Sequence, residues 1–206
     1  MENSDTYKTL AKPTSEILFK EKKSKFYGYA YPISSEDEVK AIIEGLRKKH
    51  HTANHVCYAW QLGVSTISYR ANDDGEPNNS AGMPIYGQIQ SFELTNVLIA
   101  VARIFGGTKL GVGGLISSYR KAAQMALEES SIVEKTIKAY IEIKFGYAVI
   151  DTVMRIIKQN QLEIVNQQLE MDCTLTVSTS KSKAQPLTIK FNALKGIVAK
   201  ERAIKS

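Results

Sequence analysis

Three carboxylates, a histidine, an arginine, a lysine and a run of glycines are the residues of this chain best equipped for chemistry. The carboxylates share one turn, Asp73-Asp74-Gly75-Glu76-Pro77. Acids this close could hold a divalent cation, but they lack the alternating acid series of a calcium loop. Paired acids transfer protons usefully only where a pocket separates their pKa values. The polar stretch 71–81, with Ala81-Gly82-Met83-Pro84 after it, therefore reads as a solvated turn leading into a helix. The glycines form the run Gly106-Gly107-Thr108-Lys109-Leu110-Gly111-Val112-Gly113-Gly114. Glycine permits positive φ and close approach of a ligand to the backbone. The free N–H groups of a following helix attract anions. A Walker loop would need Lys and then Ser or Thr after its last glycine, where this chain has Leu115. A dinucleotide fingerprint starting at Gly111 would need glycine where Ile116 stands. The run is either a phosphate cradle outside the standard nucleotide motifs or a tight strand-to-helix turn packed on its own domain.

His55 and Cys57 lie two apart on one strand face, with Cβ atoms about 6.5–7 Å apart. No oxyanion element accompanies them, so a hydrogen-bonded histidine beside a buried thiol is the expectation. His50, His51 and His55 have no metal-ligand spacing. Cys57 and Cys173 have no CxxC partner, which points to two reduced, buried thiols rather than a disulfide or zinc site. Neither a Gly-x-Ser-x-Gly elbow nor an HExxH helix is present. No catalytic residue, metal or cofactor is expected.

The elements that must position these residues follow from periodicity. Residues 1–14 read as a loose lead-in. Strands are expected over 16–22 and 25–32. A helix follows, opened by Ser34 and Ser35 with Glu36, Asp37 and Glu38 in its first turn. Its apolar stripe is Val39, Ile42, Ile43 and Leu46, and Arg47, Lys48 and Lys49 close it. Residues 55–62 alternate as a strand, with 67–70 as its partner. A helix is expected over 82–92, where Pro84 suits a first turn. The apolar run 96–105 reads as a strand buried on both faces, and a helix over 115–128 follows the glycines. Beyond Val133 come strand 137–145, helix 149–158, strands 162–169 and 173–179, helix 180–194 and strand 197–204. That β-α-β-β-α-β order is ferredoxin-like. Two domains are expected, 1–133 and 134–206.

Of 206 residues, 43% are hydrophobic and 23% charged, values that exclude a disordered chain. No stretch approaches the roughly 18 apolar residues of a membrane helix. No signal core precedes Lys12, so a cytoplasmic location and no membrane contact are expected. Residues 1–134 carry 15 bases and 15 acids, whereas residues 135–206 carry 12 bases and 6 acids, the whole net charge of +6. A basic second domain fits either a lysine-rich solvated surface or contact with a polyanion such as RNA.

The segments Lys22-Lys23-Ser24-Lys25-Phe26, His55-Val56-Cys57-Tyr58-Ala59, Asp73-Asp74-Gly75-Glu76-Pro77 with Ala81-Gly82-Met83-Pro84, and 103–115 resemble, in order, the motifs of the YigZ/IMPACT family. Residues 135–206 are more loosely similar to the small C-terminal domain of its bacterial members. The resemblance implies an α+β chain. Its first domain would be like domain 2 of ribosomal protein S5, and its second a ferredoxin-like domain similar to the last domain of elongation factor G. That pair resembles the ribosome-contacting end of a translation factor. It implies a non-catalytic protein that binds RNA or the ribosome in the regulation of translation. The alternatives are a small-molecule enzyme holding phosphate or nucleotide at the glycines, and a protein–protein adaptor. The implied functional surface comprises His55, Asp73, Asp74, Gly75, Glu76, Pro77, Gly82, Pro84, Arg103, Gly106, Gly107, Lys109, Gly111, Gly113 and Gly114.

Overall fold

In the computed structural model, residues 5–202 are described. Residues 203 and 204 of the expected last strand, and the first four of the expected lead-in, lie outside them. Tyr7–Lys135 makes one compact unit. Thr136 and the residues after it, joined by Asp5 and Thr6, make the other.

The first unit runs β1 (Thr6–Leu10), β2 (Ile17–Glu21), β3 (Ser24–Pro32), α1 (Glu36–Lys49), β4 (His55–Leu62), β5 (Ser68–Asn72), α2 (Gly82–Ser91), β6 (Val97–Ile104), α3 (Gly111–Glu128) and β7 (Ile132–Thr136). Five strands form an antiparallel sheet in the order β2-β3-β6-β4-β5. β6 lies at its centre, and every residue from Val97 to Ala102 is fully buried, as its unbroken apolar run predicts. Alternation along β6 splits these residues between two cores. Leu98, Ala100 and Ala102 pack with Val39, Ile43 and Leu46 of α1. Val97, Ile99 and Val101 pack with α2 and α3 through Ile85, Ile89, Leu115 and Tyr119.

α1 begins where its sequence says. Ser35 and Glu38 close a reciprocal capping box, with three acids in the first turn and three bases in the last. Two expectations fail. The segment read as a loose lead-in holds β1, which pairs with β7 from the other end of the unit. β1 is too short and too polar to announce itself, and its partner is remote in sequence. In addition, α3 starts at Gly111, four residues before the expected Leu115. Glycine's poor helix propensity hides this first turn. It is held instead by Ser118, whose hydroxyl donates to the Gly114 carbonyl at 2.7 Å, and by the buried anchors Leu115 and Tyr119.

The second unit runs β8 (Lys138–Gly146), α4 (Ile150–Gln159), β9 (Glu163–Gln168), β10 (Asp172–Ser180), α5 (Lys181–Asn192) and β11 (Ile197–Arg202). Its sheet order β11-β8-β10-β9 is the ferredoxin-like arrangement. One face of the sheet, with Ile141, Ile143, Phe145, Leu175 and Val177, packs on α4 and α5. The architecture of the chain is α+β, as expected.

Candidate functional site

The site is built on one row of the five-stranded sheet. Arg103 is registered opposite Phe26 of β3 and opposite His55 of β4. All three side chains therefore share the face covered by α3. Arg103 continues the row Val97, Ile99, Val101, so it stands where an apolar residue would otherwise be, and it is 6% exposed. A buried cation needs a partner. Glu76, 8% exposed, supplies one: Arg103 Nη1 donates to Glu76 Oε1 at 2.6 Å. The same oxygen accepts the hydroxyl of Tyr119 at 2.7 Å. The guanidinium carbon also lies 5.5 Å from the centre of the Phe26 ring and 5.6 Å from that of Phe105, within cation–π range of both.

The acidic turn is thus no solvated turn, and this corrects the expectation from composition. Glu76 points inward because its partners, Arg103 and Tyr119, are remote in sequence, whereas Asp73 is held by its own loop. Asp73 Oδ1 accepts the N–H groups of Ala81 and Gly82 at 2.9 and 2.8 Å, and Oδ2 accepts that of Asn79 at 2.9 Å. Asp73 thereby ties the loop to the buried start of α2, where Gly82 and Pro84 lie. Asp74 Oδ2 accepts the Val56 N–H at 2.6 Å, and Oδ1 accepts Arg47 at 2.5 Å. Gly75 takes the positive φ the turn requires.

His55 behaves as a hydrogen-bonded strand histidine. Its Nδ1 lies 2.7 Å from the Asp74 carbonyl oxygen, which can only accept, so Nδ1 carries the proton. Nε2 lies 4.0 Å from Glu76 Oε1. Cys57 is fully buried, with Sγ 3.0 Å from the Asp73 carbonyl and 3.3 Å from the Tyr119 hydroxyl. Burial pushes the Cys57 thiol and the Tyr119 phenol far above their ordinary values. Neither is a nucleophile or base near neutral pH, and the Cys–His pair has no ionisable thiol to activate.

The acidic turn and the glycine run converge on a pocket of about 410 Å³. Arg103, His55, Glu76 and Pro77 line it together with Phe105, Lys109 and Gly111. Val112 and Leu115 add apolar wall, and Asn54 a polar edge. The remaining expected residues divide by role. Gly106 is a packing glycine: a Cβ there would run into the Lys23–Ser24 peptide. Gly107, Gly111 and Gly113 face open space. Asp74 borders a different, smaller groove with Arg47 and Trp60. Phe105, Val112 and Leu115 belong to the motif 103–115 but not to the expected surface, because exposure and pocket position carry no local pattern. Among the described residues, no group of three or more His, Cys, Asp or Glu side chains is placed to hold a metal ion.

Fold and site together define a two-unit α+β protein with a buried, paired cation lining a small pocket. Residues 22–127 match the Impact N-terminal domain, and the chain belongs to the IMPACT family. It is 32% identical over 139 residues to IMPACT family member YvyE of Bacillus subtilis, covering 68% of this chain and 64% of that protein, less than two thirds of its length. It is 31% identical over 176 residues to an IMPACT family member of Haemophilus influenzae, covering 82% and 84%. A crystal structure of a hypothetical protein superposes over 98% of this chain and 99% of its own, with a TM-score of 0.69 and 23% identity, which is a likeness of fold.

Proposed function

We propose that this protein binds RNA or the ribosome and regulates translation without catalysing a reaction. The observation that carries the reading is the state of the site's own groups. Each carboxylate of the acidic turn is committed to a structural partner, and burial of the neighbouring Cys57 thiol and Tyr119 phenol holds both pKa values far above neutral. Beside His55 and the paired Glu76, the pocket is lined by Arg103, Lys109 and the start of α3, groups that attract phosphate. This is equipment for holding an anion, not for breaking a bond.

The second unit supports the reading. The face of its sheet turned away from α4 and α5 carries Tyr140, Lys144, Lys200 and Arg202 on β8 and β11. Lys144 and Arg202 share the single acid Glu142, so β8 and β11 carry more bases than acids on this face. An open four-stranded face of this kind is also how RRM domains present residues to single-stranded RNA. The order of the two domains, like that of a translation factor, agrees.

Co-sedimentation with ribosomes and filter binding of single-stranded RNA test the proposal across a salt series. Affinity should fall with salt by roughly 0.7 logarithmic units per tenfold salt for each phosphate contacted. Lys144→Glu with Lys200→Glu should flatten that slope. Absence of binding at low salt, or affinity indifferent to salt, would overturn it.

A further inference from the structure

The pocket beside Arg103 has properties that anion attraction alone does not explain. Phe105, Val112 and Leu115 give it apolar lining alongside the cationic Arg103 and Lys109. Phe105 is 43% exposed and Val112 53%, so both present apolar surface outward. The guanidinium of Arg103 is more than nine-tenths buried, gives Nη1 to Glu76, and leaves Nε without a hydrogen-bond partner. A buried donor without a partner is costly and calls for an explanation.

Gly113 is a second and independent observation. It does not have positive φ, and no heavy atom stands within 4 Å of where its Cβ would be. Neither torsion nor packing requires glycine there, and alanine would favour the helix. What glycine leaves at this third residue of α3 is bare backbone in the same first turn as Gly111 and Val112, which line the pocket, beside the unsatisfied N–H groups of that turn.

We infer that the pocket takes one nucleotide unit, with its base against Phe105, Val112 and Leu115 and its phosphate between Lys109 and the Gly111–Gly113 backbone. Asn54, His55 Nε2 and the Arg103 guanidinium offer both acceptors and donors to the base edge. The volume suits a small ligand of this size. The inference rests on the binding reading above. A free nucleoside monophosphate and one unstacked residue of an RNA strand present the same chemistry.

Calorimetric titration of the intact protein tests it with four probes: nucleoside monophosphates, the matching nucleosides, inorganic phosphate and a short oligouridylate. At least one monophosphate should bind roughly tenfold tighter than inorganic phosphate and than its own nucleoside, since each half of the unit adds contacts. Lys109→Ala should weaken it roughly tenfold. Gly113→Glu should abolish it while melting no lower than the parent, because an acid in the first turn suits the helix dipole but repels phosphate. An oligouridylate that competes and binds more tightly identifies RNA as the source, and a preferred mononucleotide identifies the free compound; both support the inference. It is overturned if nucleotides and oligouridylate fail to bind, if inorganic phosphate binds as well, or if both variants bind unchanged. RNA binding that depends on Lys144 and Lys200 but ignores Lys109 and Gly113 overturns this inference and leaves the proposed function standing. Mononucleotide binding without any RNA or ribosome binding does the reverse.

Discussion

Replacing Glu76 by Leu isolates the buried cation of Arg103. The two side chains are 4% and 7% exposed and 2.6 Å apart, so solvent screens them little. The same replacement removes the acceptor for the Tyr119 hydroxyl. Breaking one side of such a pair costs about 3–5 kcal/mol, because the remaining charge stays desolvated. At ~2–4 °C per kcal/mol for a chain of this size, melting should fall by roughly 6–20 °C. Glu76→Leu combined with Arg103→Met removes both charges, and its stability should return to within about 2 kcal/mol of the parent. Urea unfolding read by Trp60 is the assay. Trp60 is the single tryptophan, is 5% exposed, and belongs to the core beneath α1, so it reports on the first unit. The slope of free energy against urea should be unchanged if only the native pair is affected. A cost under about 1 kcal/mol for the single variant, or a double variant that loses the sum of the two singles, would refute the reasoning.

Three other outcomes are expected. Tyr119→Phe should cost about 1.5–3 kcal/mol in the same urea assay, the range for a hydrogen bond to a charged group. Cys57 and Cys173 are both buried, so a thiol reagent at pH 8 should label neither in the native protein and both in denaturant; fast native labelling of Cys57 would contradict its packing. Glu16 accepts the Tyr29 hydroxyl and pairs with Lys49 at 2.9 Å, and these hold its carboxyl below the ordinary value of 4.5. Its contribution to stability should be complete above that value and disappear as pH falls through the lower folded-state value. The difference between parent and Glu16→Gln urea midpoints should therefore be present at pH 6 and shrink steadily below pH 4.5.

The parts of the fold legible in sequence are those settled within a few residues. α1 carries its dipole-matched ends and its stripe in fourteen consecutive residues, with its capping box opened by Ser35 just before them. β6 needs only its unbroken apolar run. The parts missed depend on distant partners. The polarity of 71–81 signals solvent until Arg103, on β6, draws Glu76 into the interior. β7 is mostly exposed and pairs with a strand from the opposite end of its unit. The site was half legible for the same reason. The motif residues His55, Glu76, Pro77, Arg103, Lys109 and Gly111 do meet at one pocket. The split of the glycines into packing positions and bare ones depends on neighbours such as the Lys23–Ser24 peptide.

The pairing of β1 with β7 sets a clock on biosynthesis. Leu10, at the end of β1, is 1% exposed in the finished unit, packed in a core completed by α3. Its strand partner is translated about 120 residues later, which at 5–20 residues per second is a delay of roughly 6–25 s. During that interval the nascent chain displays an unpaired strand edge and an uncovered leucine, ready to pair with another nascent chain or to be shielded by a chaperone. Closure of the first unit is therefore the last act of making it, and premature termination anywhere before Ile132 leaves that strand without its partner.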